Sequence, residues 1–512
     1  MRAVLKFVLI ATYFNQKEKV IKMIYINIDD DAFYDDAVTI VRSFYPRVDV
    51  KPARPISGTS DINNPATFNP IKEVTVDLNP KDTLIEIEAP DVTGLSKAEA
   101  HEKFKVKLYK QLEQKEGHGL PWGNMTGVRP SKIAYQMIMD GKSNEQIKDF
   151  FINEHFTTKS KAELAIEVAR KENSLMSKLD VENGYSLYIG IPFCPSICLY
   201  CSFSAYPLKS YESKVEAYVD ALLYEITEVS KMMRGKRLDT VYFGGGTPTT
   251  LSSAQLDRVL SKLSECFDIS NVLELTVEAG RPDSITEEKL KVLKDHGVQR
   301  ISINPQTMNQ ETLDLIGRRH NVEDIRNAYK MATKLGFENI NMDIILGLPG
   351  EGPDEVSNTL NEILAMNPSS LTVHSLAIKR SSRLNIYRDR YKNLDFKNTK
   401  SIIKMTEETA KNLGVEPYYM YRQKNMAGNF ENVGYSRPGM ECIYNILIME
   451  EVQTIIACGA GASTKIISKN PLDNSTIINR VENVKNVDEY INRIDEMINR
   501  KKQHLSSCDD CE

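Results

Sequence analysis

The chain has 512 residues, a formal net charge of -5, 41% hydrophobic and 26% charged residues. That length suggests two or three domains, the balance is globular rather than disordered, and the mild acidity leaves no broad nucleic-acid footprint. Eight cysteines are too few and too clustered for a secreted disulfide framework, so a reducing, cytoplasmic setting is expected, and no uncharged apolar run of about 18 residues is present to span a bilayer.

Residues 4–14 are apolar apart from Lys6, but no small-x-small cleavage site follows. A signal peptide is the rival reading; Met23, which opens Ile-Tyr-Ile-Asn-Ile, reads as the true start, with 1–22 as upstream sequence. A strand is expected over 23–28 and a helix over 37–44. Residues 74–78 and 83–89 alternate like paired strands around the turn Asn79-Pro80-Lys81-Asp82. Residues 96–178 follow a helical period, and Ser96-Lys-Ala-Glu99 is a capping start. Within them, Leu120-Pro-Trp122-Gly-Asn-Met-Thr126-Gly127-Val-Arg129-Pro130 holds the sole tryptophan. It is either a ligand-facing loop or a packed connection between helices.

From residue 184 apolar strands recur at 185–191, 240–243, 273–277, 300–303, 339–346 and 370–378. Helical stretches separate them at 211–233, 252–267, 286–296, 309–335 and 352–366. Crossovers this long require parallel strands and right-handed connections. Six units suit a partial barrel, whose ligands sit at the carboxyl ends of the strands. After 380 the pattern loosens: helices are expected at 399–413, 441–451 and 487–503, and strands at 417–421, 454–458 and 476–481. The expected organisation is an N-terminal α+β accessory domain over 23–180, an α/β partial barrel over 181–385, a C-terminal α+β cap over 386–505 and a tail over 506–512. The tail's Cys508-Asp-Asp-Cys511 is a redox pair, half a metal site or a bystander.

The first strand of the repeat ends at Pro192, which cannot donate to a ladder, and runs into Cys194-Pro-Ser-Ile-Cys198-Leu-Tyr200-Cys201. A loop this short can wrap three thiolates round one centre. Zinc normally takes four protein ligands, and no His or fourth Cys lies close by. Three thiolates suit a cubane iron–sulfur cluster with one iron left open to a small molecule. A zinc site completed from afar and three structural cysteines are the alternatives.

The second strand enters Gly244-Gly245-Gly246-Thr247-Pro248-Thr249. Glycines there let backbone approach a ligand and free its amides to bind; a tight turn is the alternative. Glu278 ends the third strand, as a helix cap or a ligand group. On the fourth, Ser302, Asn304 and Gln306 alternate with apolar residues and face the interior, where buried polar groups need partners. Arg318 and Arg319 follow a helix. Asp343 sits in an otherwise apolar fifth strand, expensive to bury unless bonded. The sixth continues past Ala377 into Lys379, Arg380 and Arg383, cations suited to a polyanionic ligand or simply solvated.

The C-x3-C-x2-C spacing is that of the radical S-adenosylmethionine (SAM) superfamily. The context Ile-Pro-Phe-Cys-x3-Cys-x-Tyr-Cys resembles the oxygen-independent coproporphyrinogen III oxidases and their haem-chaperone relatives over roughly 184–380. Thr126-Gly-Val-Arg-Pro130 and Lys424-Asn-Met-Ala-Gly428 look like the longer HemZ-type branch, the coproporphyrinogen dehydrogenases. The resemblance implies a radical SAM partial (β/α)6 TIM-like barrel and a [4Fe–4S] cluster on Cys194, Cys198 and Cys201. It implies SAM contacts from Tyr188, Tyr200, Gly245, Gly246, Thr247, Glu278, Gln306, Arg318 and Asp343, and less strongly from Ala377. No catalytic side chain is implied beyond the cluster and SAM.

It further implies oxidative decarboxylation of two propionates of coproporphyrinogen III to vinyl groups, giving protoporphyrinogen IX in haem biosynthesis. Arg318, Arg319, Lys379, Arg380 and Arg383 are candidate carboxylate clamps, and a flavodoxin- or ferredoxin-type protein is the implied electron donor. Three departures matter. Gly190 stands where the family usually has His. Phe203 stands where the oxidases carry a further Cys and the chaperones carry Phe. Cys442-Ile-Tyr444-Asn445 lacks the His and Trp of the chaperones' haem motif. A haem-binding protein on the same fold, and a radical SAM enzyme acting on another tetrapyrrole, are the alternatives.

Overall fold

The computed structural model describes residues 23–45, 48–56, 80–126, 128–181, 183–391, 394, 396–423, 426, 429–470 and 475–509. Two compact units divide the chain: one runs up to Val128 and takes in Lys148–Lys161, and the other holds Arg129–Ile147 and continues from Ala162. The boundary therefore falls inside the helical stretch expected to close an N-terminal domain. The expected cap after 385 is not a separate body either, because its strands extend the barrel's own sheet.

In the first unit β1 (Met23–Ile28) is the central strand, followed by α1 (Tyr34–Phe44), β2 (Asp49–Pro52), β3 (Asp82–Ile87) and α2 (Lys97–Glu116). The sheet order is β2-β1-β3, with both neighbours parallel to β1. The strand expected over 83–89 thus pairs with β1; its expected partner, 74–78, lies outside the described residues. The capping box on α2 is present, with Ser96 and Glu99 bonding reciprocally. Trp122 is fully buried, with Leu120, Asn124 and Met125 also buried, so this half of the loop is packed.

The second unit begins with α3 (Pro130–Met139) and then alternates: β4 (Gly184–Ile191), α4 (Val215–Met232), β5 (Arg237–Gly245), α5 (Ser253–Cys266), β6 (Glu274–Glu278), α6 (Glu287–Asp295), β7 (Arg300–Ser302), α7 (Val322–Lys334), β8 (Asn339–Leu346), α8 (Pro353–Met366) and β9 (Ser370–Ser375). These six strands are parallel and adjacent in chain order, the expected α/β partial barrel. Successive strand side chains point to opposite faces. Leu187, Ile189, Val241, Phe243, Leu275, Val277 and Ile301 pack in one core with Leu222, Leu260, Leu290 and Ala332 of the helices, leaving the alternate, polar positions for the interior.

The chain continues through α9 (Lys400–Leu413), β10 (Glu416–Tyr421), β11 (Asn432–Ser436), α10 (Ile443–Glu450), β12 (Thr454–Cys458), β13 (Ser463–Lys469), β14 (Thr476–Glu482), α11 (Val487–Asn492) and α12 (Ile494–Asp509). The full order is β10-β11-β9-β8-β7-β6-β5-β4-β12-β13-β14. β12 runs parallel to β4, as a seventh parallel strand, while β11 and β13 turn antiparallel at the two sides. The expected helix over 309–335 is two helices, because Gly317 takes the left-handed φ of +79° between them. The side chains of the Cys508/Cys511 pair lie outside what is described. Among the described residues no helix is long and apolar enough to cross a membrane.

Candidate functional site

The three-cysteine loop leaves the carboxyl end of β4 and is laced at its base. Phe193–Cys194 pairs with Tyr206–Pro207, and Tyr206 N–H donates to the Pro192 carbonyl at 2.8 Å. Its tip is held from two other places: Leu199 N–H reaches Ile316 O and Leu384 N–H reaches Leu199 O, both at 2.9 Å. Burial pushes the Cys194 thiol up to about 11, against a hydrogen bond with Thr247, and the neighbouring Cys201 and Cys198 add to the rise. Cys201 is raised by burial too. Adjacent, desolvated thiols are unstable as free thiolates and become so on a metal. Among the described residues no three His, Cys, Asp or Glu side chains gather to hold a single ion. The donor set fits a cage whose corners take one sulfur each better than a closed zinc tetrahedron.

The glycine loop lies against this one. Gly246 N–H donates to Ile191 O at 2.7 Å and Thr247 N–H to Phe193 O at 2.8 Å. These two amides are therefore engaged by the cysteine loop and not free for a ligand, contrary to expectation. The glycines are required by packing: a Cβ on Gly246 would come within 2.5 Å of Phe193 O, and Gly245 holds φ +110°. Thr247 turns its hydroxyl to Cys194 Sγ at 3.5 Å.

Below the loop the register aligns Glu278 with Ser302 and Ser302 with Asn341, and Tyr188 with Tyr242. Tyr242 donates to Glu278 Oε1 at 2.6 Å and stacks on Tyr444 at 4.4 Å. Burial lifts the Glu278 carboxyl to about 7 with help from Asp343, while Tyr242 and Arg300 pull the other way. Asp343 is buried too, yet His374, Asn341 and Thr372 outweigh that cost and hold it below the usual carboxylate range. Asn341 donates to Asp343 Oδ1 at 2.6 Å, and His374 Nε2 stands 3.7 Å from Oδ2. Gln306 adopts φ +67° and is tied by its backbone to Asp343 O and Ile345 N.

Among the described residues, buried polar atoms in this region that bond to nothing in the protein include Arg300 Nε and Nη2, Ser302 Oγ, Asn304 Oδ1, Gln306 Oε1 and Arg318 Nε. Buried polar groups normally have partners, and a ligand rich in donors and acceptors fits such a row. Arg318 also donates to Asn304 O at 2.6 Å and Tyr200 OH at 3.2 Å. It is interior and does not face the mouth as a carboxylate clamp. Arg383 donates to Ile197 O at 3.3 Å, so it braces the cysteine loop. Arg319 and Arg380 are exposed and Lys379 half-buried, where burial lowers the ammonium's proton affinity. Ala377 bridges to Met426; the rest of the Lys424–Gly428 stretch lies outside the described residues.

Arg281, Asp283 and His374 were not legible as site residues. Arg281-Pro-Asp283 follows the β6 tip and offered that position as its only signal. His374 stands on the interior parity of β9, two places before Leu376. Arg129, just before α3, has a structural partner: its Nη2 meets Glu451 Oε2 at 2.9 Å.

Residues 188–363 match the Radical SAM superfamily. The oxygen-independent coproporphyrinogen-III oxidase-like protein HemZ of Bacillus subtilis (strain 168) is 42% identical over 363 residues, spanning 70% of this chain and 72% of that one. The heme chaperone HemW of the same organism is 37% identical over 195 residues, 38% of this chain and 51% of its own. Among solved structures, coproporphyrinogen III oxidase HemN from Escherichia coli, a radical SAM enzyme, superposes with a TM-score of 0.50 at 23% identity. It covers 64% of this chain and 73% of that one, a likeness of fold.

Proposed function

Because this chain belongs to the radical SAM superfamily and, within it, to the HemZ-like coproporphyrinogen oxidase family, we propose that it is an oxidoreductase converting two propionates of coproporphyrinogen III to vinyls. Its cofactors are a [4Fe–4S] cluster and SAM. Cys194, Cys198 and Cys201 would hold the cluster. SAM would lie along Tyr188, Tyr200, Gly245, Gly246, Thr247, Glu278, Gln306, Arg318 and Asp343, with Ala377 at the margin. The observation that carries the reading is the cysteine loop standing over a row of buried, unpartnered polar atoms at the carboxyl ends of parallel strands.

When bound, the cluster and SAM supply a one-electron cleavage that yields a carbon radical able to abstract hydrogen from an unactivated carbon. The protein's part is placement. Glu278, once ionised, offers a carboxylate to a ligand cation. Asp343, already held ionised by His374 and Asn341, offers one to hydroxyl donors. Tyr188, Tyr242 and Tyr444 wall the interior with stacked rings that keep water from a reactive species. Arg319, Lys379 and Arg380 remain for the substrate's carboxylates, and a flavodoxin- or ferredoxin-type protein is the proposed electron source.

The test is anaerobic: reconstituted protein, SAM, a reductant and coproporphyrinogen III, with products read by mass spectrometry. Two successive losses of carbon dioxide and hydrogen are expected; SAM cleavage without them sinks the substrate. Cys198→Ala should abolish cluster absorbance and SAM cleavage in a folded chain. A haem carrier is the second reading, favoured by Phe203, which is 78% exposed beside the third cysteine. It predicts tight haem binding and no turnover of coproporphyrinogen.

A further inference from the structure

Arg281 is 3% exposed and reaches the cysteine loop from the turn after β6. Its five N–H donors are all assigned. Nε meets Asp283 Oδ1 at 2.9 Å, and Nη2 meets Asp283 Oδ2 at 2.6 Å and Ser196 Oγ at 3.1 Å. Nη1 meets Ser196 O at 3.2 Å and Cys198 Sγ at 3.5 Å. Only a planar guanidinium can serve that fork; an ammonium has three donors and no fixed plane. The backbone is held as firmly. Ser284 Oγ donates to Arg281 O at 2.7 Å and lies 2.7 Å from Thr249 Oγ1 of the glycine loop, and Lys289 Nζ donates to Thr249 O and Ser284 O. Asp283 in turn stands 3.6 Å from His320 Nδ1.

We propose that Arg281, metered by Asp283, sets the reduction potential of the cluster through the Cys198 sulfur. This rests on the assignment of the three cysteines as cluster ligands. Hydrogen bonds to the ligating sulfurs and net charge are among the determinants of cluster potential, and groups behind the ligands orient them and tune the metal. A guanidinium at a thiolate favours the reduced, more negative cluster. Asp283 offsets part of that charge, so the two residues act in opposite directions on one quantity. Arg281 is a positioning residue, touching a ligand and not the substrate.

The experiment is an EPR-monitored redox titration of reconstituted full-length protein without substrate, with iron and sulfide counted. Arg281→Gln should keep the cluster and lower its midpoint potential, by about 59 mV if the reduced fraction at fixed potential shifts tenfold. Arg281→Lys keeps the charge without the fork and should recover only part of the difference, and Asp283→Asn should raise the potential. Two variants moving in opposite directions cannot come from general loosening of the loop. An unchanged potential in Arg281→Gln, or both variants moving downward, overturns the proposal. If Arg281→Gln fails to hold a cluster, Asp283→Asn decides alone, and a potential that does not rise overturns it. Wild type without a [4Fe–4S] signal overturns this inference together with the cofactor assignment. A cluster whose potential ignores both variants removes the inference and leaves that assignment standing.

Discussion

Two buried polar regions of the second unit differ in how completely they are satisfied. Around Glu225 on α4 every polar group has a partner. Lys501 Nζ meets Glu225 Oε1 at 2.7 Å and Asn483 Oδ1 at 2.6 Å, with both charged side chains fully buried. Asn483, Tyr490 OH and Gly459 N–H complete the carboxylate. Beneath the cysteine loop, Ser302, Asn304, Gln306 and Arg318 keep unpartnered atoms at comparable depth. A closed network holds the C-terminal segment to the barrel and asks for nothing further. An open one has a cost that a bound ligand or ordered water offsets. The contrast sets a polar cluster that is complete within the protein against one that has room for further partners.

The comparison can be broken in four places. The largest expected effect is Lys501→Met, which strands Glu225 and should cost about 3–5 kcal/mol in denaturant unfolding, with the SAM affinity of the folded fraction retained. A loss near zero would mean the network is not the clamp described. Next, Asp343→Ala should weaken SAM by about 10–100-fold, the scale of one or two hydrogen bonds to a charged group, and leave cluster absorbance intact; calorimetric binding at wild-type affinity would remove Asp343 from the site.

Third comes pH. The raised Glu278 carboxyl stabilises the ligand-free fold when protonated; that contribution is fully present below the ordinary carboxylate value and is lost as pH rises through about 7. A cationic ligand group prefers the ionised form, so SAM affinity should climb by up to about tenfold per unit below that midpoint and level off above it. Glu278→Gln should flatten the curve, and a flat wild-type profile between pH 6 and 8 would break the argument. The smallest effect is Ser302→Ala. Removing an oxygen that bonds to nothing should leave stability unchanged or slightly raised, while SAM weakens about 2–10-fold; clear destabilisation would show that this hydroxyl is structural.

Much of this was legible in the chain. The strand–helix alternation, the cysteine loop and the parity of Ser302, Asn304 and Gln306 follow from local periodicity and spacing. What was not legible came from distant partners. β12 reads as a cap strand until it is seen beside β4. β11 is among the elements that the periodicity does not announce; a Cβ on its Gly434 would strike the Tyr419 ring, so the glycine serves packing in a strand. The amides of Gly246 and Thr247 look available in one dimension and are consumed by the cysteine loop in three. Arg281 meets Cys198 only because β6 and β4 end on the same side of the sheet.

The pairing of β4 has a consequence for biosynthesis. The strand that presents the cysteines has β5 on one side and β12 on the other, from Thr454↔Tyr185 to Cys458↔Ile189. On the ribosome its second neighbour emerges only after every strand and helix from α4 to α10 has been translated. Until then one flank of the cysteine-bearing strand is an open edge, prone to wrong partners. Iron and sulfide would meet a complete receptor only once β12 has paired with β4.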